Sequence, residues 1–280
     1  MRLLIIKSIF VPNAEYIAPN IETIRSFSDY ILTMNHRYVV ILKLVGYLNP
    51  NIEHNKRNEF VQCVLDLERK LNSAREDEGG EENDEDNNDK RSPTILIEHE
   101  FWGNNRGKIN LLNSMRNIYP MYRLCNFIWY ADHDVTPIDN VIQAKDVIGS
   151  KLYGREVGVV SLNQEPDNRH NPRVYQNRQT MFELEFYVPE NNKDVASGSF
   201  ITAPKYLAAF AELKSRNVYG DEDILIPKKL DRYGLMNIVS DLRVHHPYET
   251  NEEYAEWKRA KILDIVTDEE TPEIKDDFFE

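Results

Sequence analysis

The sequence predicts an α/β fold: a single domain with a mostly parallel sheet flanked by helices. Strand-like and helix-like segments alternate over the first 71 residues, the order found in parallel sheets with crossover helices. A later aromatic run, Phe127–Ala131, has the length and composition of a buried strand. With 280 residues and a hydrophobic content of 41%, the chain is also long enough to bury a substantial core.

The first four elements follow from hydrophobic spacing. Leu3–Val11 is an apolar run that predicts a first strand, and Pro12-Asn13 ends it. Tyr38–Tyr47 is rich in Val, Ile and Leu and predicts a second strand. Ile21–Leu32 and Asn58–Leu71 carry apolar residues at helical spacing, so each strand is followed by a helix.

Two acidic segments account for the net charge of −13. Residues 76–89 contain nine acidic residues and no basic one, and the tail 268–280 contains seven acidic residues and one lysine. The rest of the chain is nearly neutral, which neither requires nor excludes a polyanionic substrate. Residues 75–92 contain no apolar side chain and are predicted to form a disordered surface insertion.

The remaining elements continue the alternation. Further strands are predicted at Pro93–Ile97, Phe127–Ala131, Val157–Leu162, Phe182–Val188 and Met236–Val239. Further helices are predicted at Ile109–Ile118, from Pro204, from Gly220-Asp221-Glu222-Asp223, and at Glu252–Val266. Residues 1–250 are therefore predicted to form the domain, and residues 251–280 a C-terminal helix and acidic tail.

The predicted strand Phe127–Ala131 leads into two carboxylates, Asp132 and Asp134, and Pro137 then stops the strand from continuing. The carboxyl ends of strands are where open α/β sheets bind ligands. Two adjacent carboxylates repel each other unless a cation or hydrogen-bond donors offset them, and a divalent ion bridged to a phosphate does so. A strand that simply ends in a polar turn would show the same pattern.

A second motif precedes this strand. Asn105-x-Gly107-x-x-x-Leu111-x-Asn113 resembles the N-x-G-x-x-x-A-x-N helix entry of GT-A-type glycosyltransferases, particularly the family 2 kind. Gly107 permits close approach of the backbone to a ligand, and a helix N-terminus favours a diphosphate. Leu111 departs from the small residue usual there. The resemblance covers Leu3 to about Tyr248 as ordered elements and implies a GT-A-like, Rossmann-type sheet.

The resemblance implies a donor site and a metal site. Asp134 and Asp132 would hold Mn²⁺ or Mg²⁺, and Asp132 would also contact the ribose or a metal-bound water. His246 or His245 would supply a third metal ligand, since neutral imidazole suits Mn²⁺-like ions. The other donor-binding residues implied are Pro12, Asn13, Asn105, Gly107, Lys108, Asn113, Gly198 and Ser199. The aspartate that commonly ends the second strand in this family is missing here, which leaves the nucleobase open.

The resemblance also implies a catalytic base. Asp223, or its neighbour Glu222, matches the acidic pair that opens a late helix in inverting members and would take a proton from the acceptor hydroxyl. Acidic residues in a first helical turn also complement the helix dipole without any catalytic role. The implied activity is metal-dependent transfer of a sugar from a nucleotide-sugar, expected to be a UDP-sugar, to a hydroxyl with inversion.

Two other functions fit parts of the sequence. Asp132-x-Asp134-x-Thr136 matches the signature of haloacid-dehalogenase-type phosphatases, in which Asp132 would be the nucleophile and Asp134 the general acid. That family normally opens its domain with this strand, whereas three predicted strands come first here. A non-catalytic nucleotide-sugar-binding protein is the other alternative, and loss of Asp223 would leave its affinity unchanged.

The expected compartment is the cytoplasm. Cys63 and Cys125 are the two cysteines of the chain, too few for a disulfide framework, which indicates a reducing compartment. No stretch of the sequence is long and apolar enough to be predicted as a membrane span. The acceptor stays open between a glycan, a protein and a nucleic acid. The loop at 163–180 carries Arg169, His170, Arg173 and Arg178, which could meet a phosphate, a glycan or a nucleic acid, and a solvated loop would show the same composition.

Overall fold

The computed structural model describes residues 2–34, 38–76, 94–104, 124–138, 157–165, 198–204, 230 and 233–245. The strands in these ranges are β1 (Arg2–Val11), β2 (Val39–Leu48), β3 (Thr94–Trp102), β4 (Phe127–Ala131), β5 (Thr136–Pro137), β6 (Val157–Glu165), β7 (Ser199–Thr202) and β8 (Met236–His245). The α-helices are α1 (Ile17–Leu32) and α2 (His54–Glu76), and a short 3-10 helix, Ala14–Tyr16, precedes α1.

The strands form one sheet in the order β3-β2-β1-β4-β7-β6-β8-β5. β1 pairs in parallel with β2 and β4, β2 pairs in parallel with β3, and β6 does so with β8. β7 runs antiparallel to β4 and β6, and β5 runs antiparallel to β8. Every strand except β5 and β7 therefore points the same way, and the predicted α/β fold with a mostly parallel sheet is confirmed.

Both helices pack on one face of the sheet in a shared hydrophobic core. Alternate residues of the strands point into this core, among them Ile5 of β1, Leu42 of β2 and Trp129 of β4. Phe27 of α1 lies against Trp129 with a ring separation of 5.0 Å, and Phe60 of α2 is also fully buried. Burial of each such side chain contributes about 1.5–3 kcal/mol, so this packing holds β1, β2 and β4 side by side.

β1 and β2 approach each other closely near their carboxyl ends. Gly46 of β2 has a φ of 153°, and a Cβ atom at this position would lie 2.0 Å from the backbone oxygen of Ile9 in β1. Glycine is therefore the residue that this close approach of two parallel strands requires.

Several elements extend beyond their predicted ends. α1 begins at Ile17 rather than Ile21, because Pro19 lies in the first turn, where a missing N–H costs no helical hydrogen bond. α2 begins at His54 and continues to Glu76, so the first two residues of the predicted insertion are helical. The rest of that insertion, the predicted strand Phe182–Val188 and the predicted C-terminal helix and tail lie outside the described residues.

β3 and β8 are much longer than the sequence predicts. β3 continues from Ile97 to Trp102 because it stays in register with β2 as far as the pair Tyr47 and Trp102. β8 continues from Val239 to His245 because it pairs with β6 and then with β5. Polar residues interrupt the apolar run in both extensions, so the sequence pattern did not predict these parts of the strands. Neither described helix is long and apolar enough to cross a membrane.

Candidate active site

The two aspartates lie in a tight turn that follows β4. β4 ends at Ala131 as predicted, and the amide of Val135 donates to the carbonyl oxygen of Asp132 over 3.1 Å. β5 then begins at Thr136, and Pro137 lies within this two-residue edge strand, where a residue without an N–H is tolerated. The turn Asp132–Val135, called the aspartate turn below, therefore lies between two strands of the same sheet.

The carboxylate of Asp132 is oriented by its neighbour two residues earlier. The hydroxyl of Tyr130 donates to Oδ1 of Asp132 over 2.6 Å. Tyr130 is almost fully buried, and its ring stacks on Phe200 of β7 at a centroid separation of 5.3 Å. A carboxylate held by a rigid, buried donor is presented in one orientation, as ligating carboxylates usually are.

β7 reaches the same turn from the other side. The amide of Asp132 donates to the carbonyl oxygen of Gly198 over 2.8 Å, so the predicted loop residue Gly198 does lie beside the aspartates. Ser199 is fully buried, and its hydroxyl accepts from Nε1 of Trp129 over 2.9 Å and donates to the carbonyl oxygen of Tyr130 over 3.3 Å. The Ser199 hydroxyl therefore joins β7 to β4 inside the core and does not face the site where a nucleotide-sugar would bind.

A buried lysine lies directly behind the aspartate turn. Nζ of Lys7, from β1, donates to the carbonyl oxygens of Asp132 and of Val135, the latter over 2.8 Å. The side chain has no exposed surface, and the ammonium lies 5.1 Å from the centre of the Phe27 ring. Burial lowers the pKa of Lys7 from 10.5 to about 7, and the charges of Asp134 and Asp132 oppose part of that shift.

Sequence reasoning missed the role of Lys7. The available signal was a lysine in the middle of an apolar strand, because lysine is almost never fully buried unless it is paired. The partners could not be identified from the sequence, since they are backbone carbonyls 125 and 128 residues away.

The middle of the aspartate turn is held by α1. The single hydroxyl proton of Thr23 has two acceptors within reach, the carbonyl oxygen of His133 at 2.8 Å and that of Asn20, one turn earlier in α1, at 3.0 Å. The shorter contact is the one to His133. The His133 ring packs edge-on against Phe10 at 5.4 Å, and its Nδ1 lies 3.9 Å from Oδ1 of Asp134. The side chains of His133 and Asp134 are 30% and 28% exposed, but Oδ1 of Asp134 is buried, so the carboxylate is only partly accessible.

The predicted turn at the end of β1 lies close to the aspartate turn. Asn13 caps the 3-10 helix by accepting from the amide of Glu15 over 2.9 Å, and the carbonyl oxygen of Pro12 accepts from Nδ2 of Asn49 over 2.6 Å. Phe10, which contacts His133, also packs against Tyr47 of β2 at 6.0 Å. The carboxyl ends of β1, β2 and β4 thus meet at one edge, as the parallel topology requires.

His245 reaches this edge as the last residue of β8, not as a residue beyond the last strand. Its Cα pairs with Thr136, two residues after Asp134. Within the described ranges, however, no three His, Cys, Asp or Glu side chains converge in a group that could hold a metal. The third metal ligand, whether His245 or His246, therefore stays a prediction.

The other predicted site residues lie outside the described ranges. They are Asn105, Gly107, Lys108, Asn113, Glu222, Asp223 and His246. Their roles as donor-binding, catalytic and metal-binding residues stay predictions.

A second charged cluster lies on the opposite face of the sheet. Nζ of Lys43, from β2, lies 3.4 Å from Glu98 and 3.7 Å from Glu100, both on β3, and Lys43 is 1% exposed. Nε1 of Trp102 donates to Glu100 over 2.7 Å. The sequence prediction ended the third strand at Ile97, and this pairing explains why two glutamates are tolerated in its continuation.

The chemistry of the aspartate turn fits a divalent cation. Two carboxylates separated by one residue, one of them oriented by a hydroxyl, supply the hard oxygen ligands that Mn²⁺ and Mg²⁺ accept. Such ions usually take one or two protein carboxylates and complete their shell with water and substrate phosphates. The pair Asp132 and Asp134 meets that requirement without a third protein ligand.

Comparisons with known proteins bear on the fold. Neither the family models nor the curated proteins include a match to this sequence. Among solved structures, glucosyl-3-phosphoglycerate synthase from Mycobacterium tuberculosis, in complex with Mn²⁺, uridine diphosphate and phosphoglyceric acid, has a TM-score of 0.51 and 14% identity. The match covers 95% of this chain and 78% of that protein.

A second solved structure agrees with the first. Mannosyl-3-phosphoglycerate synthase from Rubrobacter xylanophilus has a TM-score of 0.50 and 12% identity, and the match covers 95% of this chain and 73% of that protein. At this level of identity the similarity shows the fold. The fold is that of GT-A-type glycosyltransferases, as the sequence motifs indicated.

Proposed function

We propose that this chain is a metal-dependent glycosyltransferase that moves a sugar from a nucleotide-sugar, a UDP-sugar, to an acceptor hydroxyl with inversion. The observation that carries the proposal is the aspartate turn at the carboxyl edge of a GT-A-type sheet, with the carboxylate of Asp132 oriented by Tyr130 and the side chain of Asp134 partly exposed. The two solved structures described above are sugar-phosphoglycerate synthases by name, and one was solved with Mn²⁺ and uridine diphosphate.

The donor site would combine the aspartate turn with the strand ends beside it. Asp132 and Asp134 would hold Mn²⁺ or Mg²⁺, with His245 or His246 as a further ligand. When bound, the cation supplies positive charge that offsets the charge developing on the leaving diphosphate. Pro12 and Asn13 would lie beside the nucleobase and Gly198 beside the sugar, while Asn105, Gly107, Lys108 and Asn113 would contact the diphosphate.

In the proposed reaction, the chain's own residues contribute one proton transfer, from the acceptor hydroxyl to a carboxylate. Asp223, or Glu222 in its place, takes the proton from the acceptor hydroxyl as its oxygen forms a bond to the anomeric carbon. The bond between that carbon and the diphosphate oxygen breaks, and the bonding electrons leave with the nucleoside diphosphate. Because the acceptor attacks the face opposite the leaving group, the anomeric configuration inverts.

The fold does not favour the phosphatase alternative. The strand that leads into the Asp132 motif is the fourth of the described strands and lies between β1 and β7, whereas haloacid-dehalogenase-type domains normally open with it. The absence of hydrolysis of a generic aryl phosphate, under conditions where a sugar donor is hydrolysed, would complete the argument.

The decisive experiment is a screen of UDP-sugars for slow hydrolysis in the presence of Mn²⁺, because hydrolysis needs no acceptor. We expect uridine diphosphate to be released from one donor and release to stop when the metal is chelated. Asp223→Asn should lower the rate by orders of magnitude and leave donor binding nearly unchanged. Metal-dependent donor binding without turnover in the native chain would instead indicate a non-catalytic nucleotide-sugar-binding protein.

The stereochemical outcome tests the role of Asp223 separately. Once an acceptor hydroxyl is found, NMR of the product gives its anomeric configuration. Inversion is expected, and retention would remove Asp223 from the role of base while leaving the sugar transfer itself intact.

A further inference from the structure

The backbone of the aspartate turn is held from behind by two buried side chains. Nζ of Lys7 donates to the carbonyl oxygens of Asp132 and Val135, at the two ends of the turn. Oγ1 of Thr23 donates to the carbonyl oxygen of His133, in its middle. Three of the four carbonyls of the turn are thus fixed by side chains from β1 and α1.

These contacts lie on the opposite side of the turn from solvent. Lys7 has no exposed surface and Thr23 is 9% exposed, whereas the Asp134 side chain is 28% exposed. A ligand that approaches from solvent therefore meets the aspartates and does not meet Lys7 or Thr23. Neither residue can contact such a ligand, so any hydrogen-bonding effect that they have on it passes through the turn that they hold.

Burying an ammonium group in an apolar core is unfavourable unless its hydrogen bonds are satisfied. A core residue of the same length, such as methionine, would pack in the same space without that cost. The described hydrogen bonds of Lys7 go to the aspartate turn, so its specific effect falls on the conformation of that turn.

We propose that Lys7 and Thr23 are positioning residues that hold the aspartate turn in its metal-binding conformation before the metal arrives. This inference rests on the proposed function, since it assigns these residues to the same metal and donor site. With the carbonyls fixed, the two carboxylates need little reordering when a cation binds. Without them, binding must also order the turn, and affinity falls.

For the change in Mn²⁺ affinity when Lys7 is replaced, the proposal and simple electrostatics predict opposite directions. When Lys7 is protonated, its replacement also removes a positive charge near the site, and the loss of that charge repulsion alone would make the cation bind more tightly. If positioning dominates, the cation binds less tightly. The direction of the change in Mn²⁺ affinity for Lys7→Met therefore decides between the two effects.

Thr23 provides a test without a change in charge. Thr23→Val removes the hydroxyl and keeps the shape of the side chain, while Thr23→Ser keeps the hydroxyl. We expect Thr23→Val to weaken Mn²⁺ binding and Thr23→Ser to restore it to near the native value. This pair also keeps the proposal testable if Lys7→Met does not fold.

The experiment measures binding of Mn²⁺ alone by electron paramagnetic resonance, and of uridine diphosphate with Mn²⁺ by calorimetry. Lys7→Met and Thr23→Val should each weaken Mn²⁺ binding on the order of tenfold. This is the lower end of the loss in metal affinity seen when a residue that orients a metal ligand is replaced. Lys43→Met is the matched control, because Lys43 is an equally buried lysine on the neighbouring strand that pairs with Glu98 and Glu100 instead. It should leave Mn²⁺ affinity unchanged even if it lowers stability.

Amide hydrogen exchange in the metal-free chain gives a second result that does not depend on binding or activity. The amide of Val135 donates to Asp132 within the turn, and the amide of Asp132 donates to Gly198 outside it. Both amides should exchange faster in Lys7→Met and Thr23→Val than in Lys43→Met. Unchanged exchange, or unchanged or tighter Mn²⁺ binding in a folded variant, overturns the proposal. If the native chain binds no nucleotide with Mn²⁺, the proposed function fails, and the exchange measurement still decides whether Lys7 and Thr23 hold the turn.

Discussion

Asp134 is the residue whose charge the proposed chemistry needs most directly. Its carboxylate is partly exposed beside His133, so its loss should affect ligand binding more than folding. We expect Asp134→Asn to abolish metal-dependent binding of uridine diphosphate, because an amide of the same shape is a much weaker ligand for a hard cation. Calorimetry with and without EDTA measures the effect.

A matched control is Asp29→Asn, at an exposed carboxylate of α1 that pairs with Lys70. This variant also loses one carboxylate but should keep native affinity, and circular dichroism should show both variants folded. Metal-dependent binding retained in Asp134→Asn would remove this aspartate from the metal site.

Tyr130 offers a test of how the orientation of the Asp132 carboxylate affects the affinity for Mn²⁺. Tyr130→Phe removes the hydroxyl that donates to Asp132 and keeps the ring stacked on Phe200. We expect Mn²⁺ affinity to fall about 10- to 100-fold, the range seen when a partner that orients a metal ligand is lost. Tyr233→Phe, at a half-exposed tyrosine, is the control, and equal affinities in the two variants would contradict the prediction.

The lowered pKa of Lys7 predicts how stability depends on pH. Between its folded value of about 7 and its ordinary value of 10.5, the unfolded chain binds a proton that the folded chain does not. The free energy of unfolding should therefore rise with pH in this window, by up to about 1.4 kcal/mol per pH unit from this group. Below pH 7 the full cost of charging the buried amine opposes folding.

Urea unfolding in EDTA at several pH values between 7 and 9.5 measures this dependence. Lys7→Met should lack the contribution, so the difference in slope between native chain and variant isolates it from other groups. Equal slopes would show that the lysine titrates normally in the folded chain.

At the scale of single elements, β1 and β2 approach so closely that Gly46 is the described glycine with the least room for a side chain. Gly46→Ala would place a methyl group 2.0 Å from the carbonyl oxygen of Ile9, in a backbone conformation with φ of 153°. We expect the free energy of unfolding to fall by at least about 3 kcal/mol.

Gly234→Ala separates backbone conformation from steric contact. Its φ is +64°, but no atom lies within 4 Å of an added Cβ, so the cost should be about 1 kcal/mol from the left-handed conformation alone. Denaturant unfolding of both variants checks the difference, and similar losses at the two positions would contradict it.

At the scale of the whole molecule, a ligand that binds only the folded chain should stabilise it. With Mn²⁺ and uridine diphosphate at about 100 times the dissociation constant, the expected gain is about 2.7 kcal/mol, which raises the midpoint of thermal unfolding by roughly 5 °C. EDTA should remove the shift. Stabilisation that persists in EDTA would show nucleotide binding independent of metal.

The sequence predicted those features that local spacing controls. The apolar run Phe127–Ala131 became β4 with its predicted bounds, and the alternation of strands and helices correctly indicated the mostly parallel sheet. The position of Asp132 and Asp134 at the carboxyl end of a strand followed from the same pattern. Such features are predictable because hydrophobic periodicity and strand-ending residues act over a few neighbouring positions.

Tertiary structure alone decided which distant groups meet. β8 continues to His245 because Thr136 pairs with it, and Ser199 is buried because Trp129 binds its hydroxyl. Lys7 holds the aspartate turn through carbonyls more than 120 residues away. A polar residue in an apolar strand shows that a partner is needed, but not which one, because the partner is set by the order of strands in the sheet, which local spacing does not encode.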